Sequence, residues 1–271
     1  MKHPGSDLAL VEAVVPLLRT CCFGRALRGY ETVGSTNTVA AAWAAEGAPE
    51  GAVVVAEYQT AGRGRRGRAW EASAGRNLTF SVVLRPTLAP ERLGLITLAA
   101  SVAVAEAVSA FTAPLEATIK WPNDVLLEGK KCCGMLLESS LYAHHGGAAA
   151  VILGIGLNVN QDTFPPSLAE RATSLLLAAG RLVPRPPLLA CLLERLEARY
   201  ETLTTDGGAA VRKAYEARLA GLHRPVTFYL DDGTRLRGIL AGLTDTGAVC
   251  IETAGGPRVF HAGEVSTAPP A

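Results

Sequence analysis

The pattern of apolar and polar positions divides these 271 residues into a mixed helix-and-strand body and a strand-rich tail. Residues 7–22 carry apolar side chains at helical spacing behind Ser6 or Asp7, either of which can cap a helix. Ser35-Thr36-Asn37-Thr38 opens an alanine-rich stretch that runs to Glu46 and stops at Gly47, which predicts a second helix. Ala52–Ala56 has the pattern of a buried strand, and Asn77–Leu84 alternates as a strand does. Pro86–Pro90 reads as a turn. Glu91–Phe111 follows as a long Ala/Val-rich helix, and its near-absence of charge between Leu93 and Val108 predicts burial on most sides. Strands are expected at Thr118–Trp121, Val125–Leu127, Cys132–Leu141 and Ala148–Asn160. Helices are expected at 168–179, 187–205 and 208–220. From Arg224 onward come four short strands, Val226–Leu230, Arg235–Ala241, Ala248–Glu252 and Arg258–His261. Asp231-Asp232-Gly233, Asp245-Thr246-Gly247 and Gly255-Gly256-Pro257 are the turns between them. The order predicts an α+β fold with a mixed or antiparallel sheet, followed by a small C-terminal β-barrel.

Composition narrows the classes. Hydrophobic residues make up 49% of the chain and charged residues 19%, enough for a sizeable core. A net charge of +1 argues against a polyanion-binding protein. Cys21, Cys22, Cys132, Cys133, Cys191 and Cys250 match neither a zinc spacing nor a disulfide framework, so reduced thiols in a cytoplasmic protein are expected. The N-terminus lacks a signal-peptide layout, and no uncharged apolar stretch approaches the ~20 residues of a membrane span.

Four segments carry candidate chemistry. The first is Gln59-Thr-Ala-Gly62-Arg63-Gly64-Arg65-Arg66-Gly67-Arg68, followed by Ala69-Trp70. Its glycines let backbone N–H groups approach a ligand, and its arginines offer forked donors to phosphate oxygens; a solvated basic loop is the plain alternative. The second is Lys120-Trp121-Pro122-Asn123-Asp124 with Lys130, Lys131 and Gly134. The chain has only five lysines and three lie here, which suggests a need for compact point charges. Asp124 suits a hydrogen bond or magnesium. A hairpin turn with solvated lysines is the alternative for Lys130 and Lys131. The third is Gly154-Ile-Gly156-Leu-Asn158-Val-Asn160, where glycines and amides in an apolar strand are costly unless a ligand or a β-bulge explains them. The fourth is Ser35-Thr36-Asn37, which read alone is an ordinary helix cap.

In this order and at these separations, the four segments resemble the biotin–protein ligase family from about residue 30 to the C-terminus. The resemblance implies a catalytic domain similar to class II aminoacyl-tRNA synthetases with a mixed or antiparallel sheet, and an SH3-like C-terminal barrel. It divides the chain into a short helical extension (1–28), a catalytic domain (29–222) and a barrel domain (223–271). It implies that biotin and ATP give biotinyl-5′-AMP and pyrophosphate, with Mg²⁺, and that the lysine of a biotin carboxyl carrier domain then takes the biotinyl group. Ser35, Thr36, Asn37 and Gln59 are expected at the biotin head group. Arg63, Gly64 and Arg65 are expected on a loop closing over biotin and its phosphate, and Lys131 with Gly134 at the biotin carboxylate. Lys131, Arg65 and Arg63 would carry catalysis. Arg65, Arg66, Trp70, Lys120, Asn123, Asp124, Gly154, Gly156 and Asn158 would meet the nucleotide, with Asp124 as the metal ligand.

Two departures qualify the resemblance. Only about 30 residues precede the first strand, too few for the winged helix-turn-helix of many bacterial members, so a ligase without DNA binding, monomeric or homodimeric, is expected. Cys132-Cys133 beside Lys131 raises a redox role. The alternatives are a lipoate or octanoate ligase or transferase of the same fold, or a biotin-sensing or nucleic-acid-binding regulator without enzymatic activity.

Overall fold

The computed structural model describes residues 9–140, 150–230 and 232–267. The expected Ser6 or Asp7 cap, residue 141 and residues 148–149 of two expected strands, and Asp231 lie outside the described residues. The body is a seven-stranded sheet of β1 (Leu27–Val33), β2 (Val53–Gln59), β3 (Leu78–Leu84), β4 (Thr118–Lys120), β5 (Asp124–Leu127), β6 (Lys130–Ser140) and β7 (Ala150–Leu157). Their spatial order is β1-β2-β3-β7-β6-β5-β4. Only β1 and β2 run parallel, and every other neighbouring pair is antiparallel. The sheet is mixed, as expected.

Both faces of the central strands are covered. β3 is buried at every position, the signature of a strand between two layers rather than at a wetted surface. Alternation sorts its neighbours: Val53, Val55, Phe80 and Val82 join one core with the helix α3 (Gly94–Thr112). Val54, Val83 and Ile152 join a second core with Ala40 and Ala44 of α2 (Thr36–Ala45). Residues 95–105 of α3 are buried without interruption. This helix is long and apolar enough to cross a membrane by composition, but its apolar surface is covered by β6, α5 (Arg185–Asp206) and α6 (Ala209–Glu216).

Three sequence expectations change. The N-terminal helix ends early: α1 spans Ala9–Val14, a 3₁₀ turn continues to Leu17, and Leu18 is extended. Beyond it the chain wraps a buried carboxylate, because the Cys21, Cys22 and Phe23 N–H groups all donate to Glu197 of α5 at 2.8, 2.6 and 2.9 Å. Leu10, Val11, Val14 and Phe23 belong to the main core, and β1 begins at Leu27. The expected separate extension over 1–28 is therefore part of the body in its described portion. Residues 168–179 are not one helix: Lys131 N–H donates to Arg171 C=O and Thr173 N–H to Lys131 C=O, a bridge to β6 that interrupts it. Only α4 (Leu175–Ala179) follows, capped by the Ser174 hydroxyl, which accepts from Leu177 N–H.

The tail is an antiparallel sheet of β8 (Pro225–Tyr229), β9 (Arg235–Leu243), β10 (Val249–Thr253), β11 (Gly256–Phe260) and β12 (Glu264–Ser266), in the order β11-β10-β9-β8-β12. Phe228 stacks on Phe260 at 4.4 Å in its core. Trp121 fastens it to the body, with its ring 6.1 Å from Phe228 and its Nε1–H donating to Gly247 C=O at 3.1 Å. Glu197→Ala strands three N–H groups around a nearly buried site (Glu197 is 8% exposed). It should lower unfolding stability by about 2–4 kcal/mol in urea titration; a loss below about 1 kcal/mol would show that the 18–23 segment does not depend on it.

Candidate active site

A cavity of about 790 Å³ opens beside β6 and β7, walled by the 62–70 segment, the 161–172 segment and the β12 end of the tail. Every residue to which the resemblance gives a biotin or nucleotide role lines it, whereas Gly62, Gly67, Lys130 and Asn160 of the same segments do not. Its volume suits a cofactor-sized ligand.

The arginine segment is a hairpin. Gly64 N–H donates to Arg68 C=O at 2.7 Å, Trp70 N–H donates to Gly62 C=O at 3.0 Å, and Arg63 bridges Ala69. A Cβ on Gly62 would lie 2.5 Å from Trp70 C=O, so that crossing requires glycine. Arg66 turns the tip at φ 58°. Arg63 and Arg65 point to different ends of the cavity. Arg63 donates from Nη2 to Glu138 at 3.1 and 3.3 Å and from Nη1 to Thr38 Oγ1 at 3.1 Å. Arg65 Nη1 reaches Asn123 Oδ1 at 3.2 Å and Gly263 C=O at 3.5 Å.

A register shift aims Lys131. In a regular strand Lys131 and Gly134, three residues apart, would face opposite sides. Here Val125 pairs with Cys133 but Leu126 with Lys131, so Cys132 is an extra residue and β6 bulges. The bulge places Lys131 on the same side as Gly134 and Asp124. Lys131 Nζ then lies 2.6 Å from Asp124 Oδ1 and 5.7 Å from the Trp70 ring centroid. The β5–β6 turn is Glu128-Gly129, both at positive φ, as a tight hairpin requires. Cys132 and Cys133 are fully buried. Burial pushes the Cys132 thiol up to about 12 and Cys133 well above the ordinary thiol range, which makes both poor thiolates.

The glycines of β7 serve the chain's own side chains. Gly156 pairs with Gly134 across β6 and β7, leaving a patch without Cβ atoms on which Trp70 lies. A Cβ on Gly156 would fall inside the indole, and one on Gly134 would stand 3.2 Å from it. A Cβ on Gly154 would fall on the Asn37 amide. β7 stays in register with β3 and β6 through both glycines, so the bulge alternative fails there. Asn37 and Trp70 fill the space that a Cβ on Gly154 or Gly156 would take, and both glycines still line the cavity.

The amide end of the cavity is a bonded cluster. Ser35 stands at the cap position of α2, yet its hydroxyl makes no cap bond. Gln59 Oε1 instead accepts from Thr36 N–H at 2.7 Å and Thr36 Oγ1–H at 3.0 Å. Asn37 donates from Nδ2 to Glu138 Oε2 at 2.6 Å, and its Oδ1 lies 2.6 Å from the Ser81 hydroxyl. Ser35, Thr36 and Asn37 are all buried. Two more lining atoms are buried with no hydrogen-bond partner, Trp70 Nε1 and Asn158 Oδ1. A donor and an acceptor so left are sites for complementary ligand groups.

The tail closes the Lys120 end of the cavity. Glu264 of β12 accepts from Lys120 Nζ at 2.6 Å and from Arg68 Nη2 at 3.4 Å. Burial alone would raise the Glu264 pKa, but the Lys120 hydrogen bond and charge, with Arg68, outweigh it and hold the carboxyl below its usual range. Asp124, expected as a metal ligand, uses Oδ1 on Lys131. Among the described residues no cluster of three or more His, Cys, Asp or Glu could hold an ion. Sequence reasoning missed Ser81, Glu138 and Glu264. Glu138 was visible in principle, as a charge falling in phase with Gly134 directly after the apolar residues 135–137. Glu264, in a three-residue strand, left no such signal.

Known proteins resemble this chain in sequence and in fold. Residues 29–158 match the model of the biotin/lipoate A/B protein ligase family, and residues 221–267 match the biotin protein ligase C-terminal domain. The chain is 37% identical to the biotin–[acetyl-CoA-carboxylase] ligase of Mycobacterium tuberculosis, over 86% of this chain and 85% of that one. It is 35% identical to the bifunctional ligase/repressor BirA of Bacillus subtilis, over 92% of this chain and 76% of that one. The crystal structure of the Aquifex aeolicus biotin protein ligase in complex with biotin and ATP superposes with a TM-score of 0.78 at 30% identity, covering 89% of this chain and 98% of that one.

The Glu264 clasp gives a pH prediction. A carboxyl whose folded-state pKa is depressed stabilises the fold above its unfolded pKa and loses that contribution as pH falls through the folded value. Amide exchange of β12 should therefore accelerate as pH drops below the usual carboxylate range, beyond its intrinsic pH dependence, and Glu264→Gln should abolish that extra acceleration. Identical acid profiles in the two proteins would show that the clasp does not hold β12.

Proposed function

The chain belongs to the biotin/lipoate A/B protein ligase family, as a biotin protein ligase, and from that premise we propose how its own residues activate biotin with ATP and pass it to a biotin carboxyl carrier domain. In the first step a biotin carboxylate oxygen attacks the α-phosphorus of ATP, forming the biotinyl-5′-AMP anhydride and releasing pyrophosphate. In the second the neutral ε-amine of a carrier lysine attacks the anhydride carbonyl, forms the amide and releases AMP and a proton. The observation that carries this reading is the convergence of Lys131 and Arg65 on one cavity that ends at the buried Asn37 cluster.

Two anions must meet in the first step, so the enzyme has to offset their repulsion and the charge developing on phosphorus. Lys131 is assigned to the carboxylate and α-phosphate. Asp124 keeps its ammonium group on the cavity side, and the anionic reactants compete with Asp124 for it. Arg65, with Arg66 and Lys120, is assigned to the phosphates, and Asn123 orients Arg65. Ser35, Asn37 and Gln59 supply donors and acceptors for the ureido ring. Asn158 Oδ1, lacking a partner, suits a donor on the adenylate's ribose or base. Trp70 supplies an aromatic wall above Gly134 and Gly156. The hairpin and the 161–172 segment shield the anhydride from water.

Magnesium is assigned to the substrate. The residues present do not fit a resident ion, since Asp124 is already joined to Lys131; magnesium would arrive as the counter-ion of ATP and offset phosphate charge. The catalytic unit is proposed to run to residue 222, with residues 9–28 included, and the barrel unit from 223. The described segment before β1 packs on α5 and is assigned no DNA partner; a footprint on an operator would overturn that assignment. Six free cysteines, two of them buried beside Lys131, suit a reducing cytoplasmic setting.

ATP-dependent transfer of labelled biotin to a carrier domain, read by mass, tests the reading, with lipoate giving no product. Lys131→Met should slow biotin-dependent pyrophosphate release by about 100-fold. Its melting temperature should hold, because a partly exposed lysine contributes little to folding. Parallel losses of stability and activity would make Lys131 a structural residue instead.

A further inference from the structure

Glu138 has no place in the chemistry above, yet it joins two parts of the cavity that the sequence keeps far apart. It lies on β6 four residues beyond Gly134, on the same side of the strand, opposite Ile152 of β7. Its carboxylate receives two donors together: the Asn37 amide at 2.6 Å and the Arg63 guanidinium at 3.1 and 3.3 Å. Asn37 is fixed in one orientation by this bond and by Ser81 on the other side of its amide. Arg63 is the first arginine of the hairpin and is held at a second point by Thr38. The strand thus ties the arginine hairpin to the amide at the cavity's end.

We propose that Glu138 is the catch of the arginine hairpin. It clamps Arg63 to the Asn37 amide, so that Arg63 is a positioning residue and Arg65 is the hairpin's phosphate-binding arginine. The proposal rests on the reading of the cavity as a biotinyl-adenylate site, which it deepens. Arg63 spends its donors on Glu138 and Thr38, whereas Arg65 lies at the Asn123 end beside Asp124 and Lys131. A ligand that engages Asn37 acts on the same carboxylate that holds the hairpin. Occupancy of the biotin end therefore sets how firmly the hairpin stays over the phosphate, and the intermediate is retained only when both ends are filled.

The test is the rate at which preformed biotinyl-5′-AMP escapes from the protein, followed by chase with excess unlabelled ligand. Glu138→Gln keeps the size of the side chain and its bond to Asn37 but removes the charge facing Arg63. It should speed escape by about tenfold, as loss of a charge-assisted contact would. Arg63→Met should do the same, and the double variant should be no more than about twofold faster than either single one, because both remove one interaction. Arg65→Ala, by contrast, should lose adenylate formation itself. Singles that multiply to about 100-fold in the double variant, or a Glu138→Gln that retains adenylate as well as the parent, would overturn the catch. If the unaltered protein forms no adenylate, the ligase reading and the catch fall together; if it forms adenylate and the singles multiply, only the catch falls.

Discussion

Arg63, Arg65, Lys120 and Lys131 surround one cavity, and their mutual repulsion is the constraint around which the structure is arranged. Like charges drawn around one cavity repel one another at the effective dielectric of a protein surface. The structure answers with a side-chain acceptor for each cation, taken from different elements. Glu138 comes from β6, Asp124 from β5, Glu264 from β12 and Asn123 from the turn before β5. The cations are thereby spaced and aimed without being buried, and a polyanionic ligand can displace these acceptors because it offers more charge than any one of them. The same arrangement explains why the tail belongs to the active enzyme: Glu264 and the Gly263 carbonyl hold Lys120 and Arg65, while Trp121 bolts the tail to the body.

A second constraint is space. Three glycines on two strands leave the sheet thin where Asn37 and Trp70 must enter. Their cost to strand stability is met by a fully packed surround, including α3 and the both-sides-buried β3. The bulge at Cys132 is the third device, since it turns Lys131 toward Asp124 while keeping both thiols in the core. Each device reshapes the backbone locally and leaves the sheet's order untouched.

Much of this was legible in the sequence, and the exceptions have physical causes. Long, strongly patterned elements such as α3, β3 and α5 follow from their own residues. β1 was expected only as a first strand near residue 30 and given no bounds, because Arg28, Gly29 and Glu31 dilute its apolar pattern at the sheet edge. The expected helix at 168–179 is broken by a bridge to Lys131, a contact with a residue about forty positions earlier that no local pattern encodes. Among the site residues, the arginine hairpin, Lys131 and the Asn37 segment were recognisable by type and order. Their partners were not, because Glu138, Ser81 and Glu264 act through tertiary geometry. The glycines of β7 stood out in the sequence as an unexplained cost, and the structure shows Asn37 and Trp70 filling the space their missing Cβ atoms leave.

A crystal structure with biotinyl-5′-AMP bound measures the claim most directly. The account predicts the α-phosphate within about 3 Å of both Lys131 Nζ and an Arg65 nitrogen, with the ureido ring at Asn37 and Ser35. A phosphate bound elsewhere, with Lys131 still paired to Asp124 and Arg65 to Asn123, would contradict it.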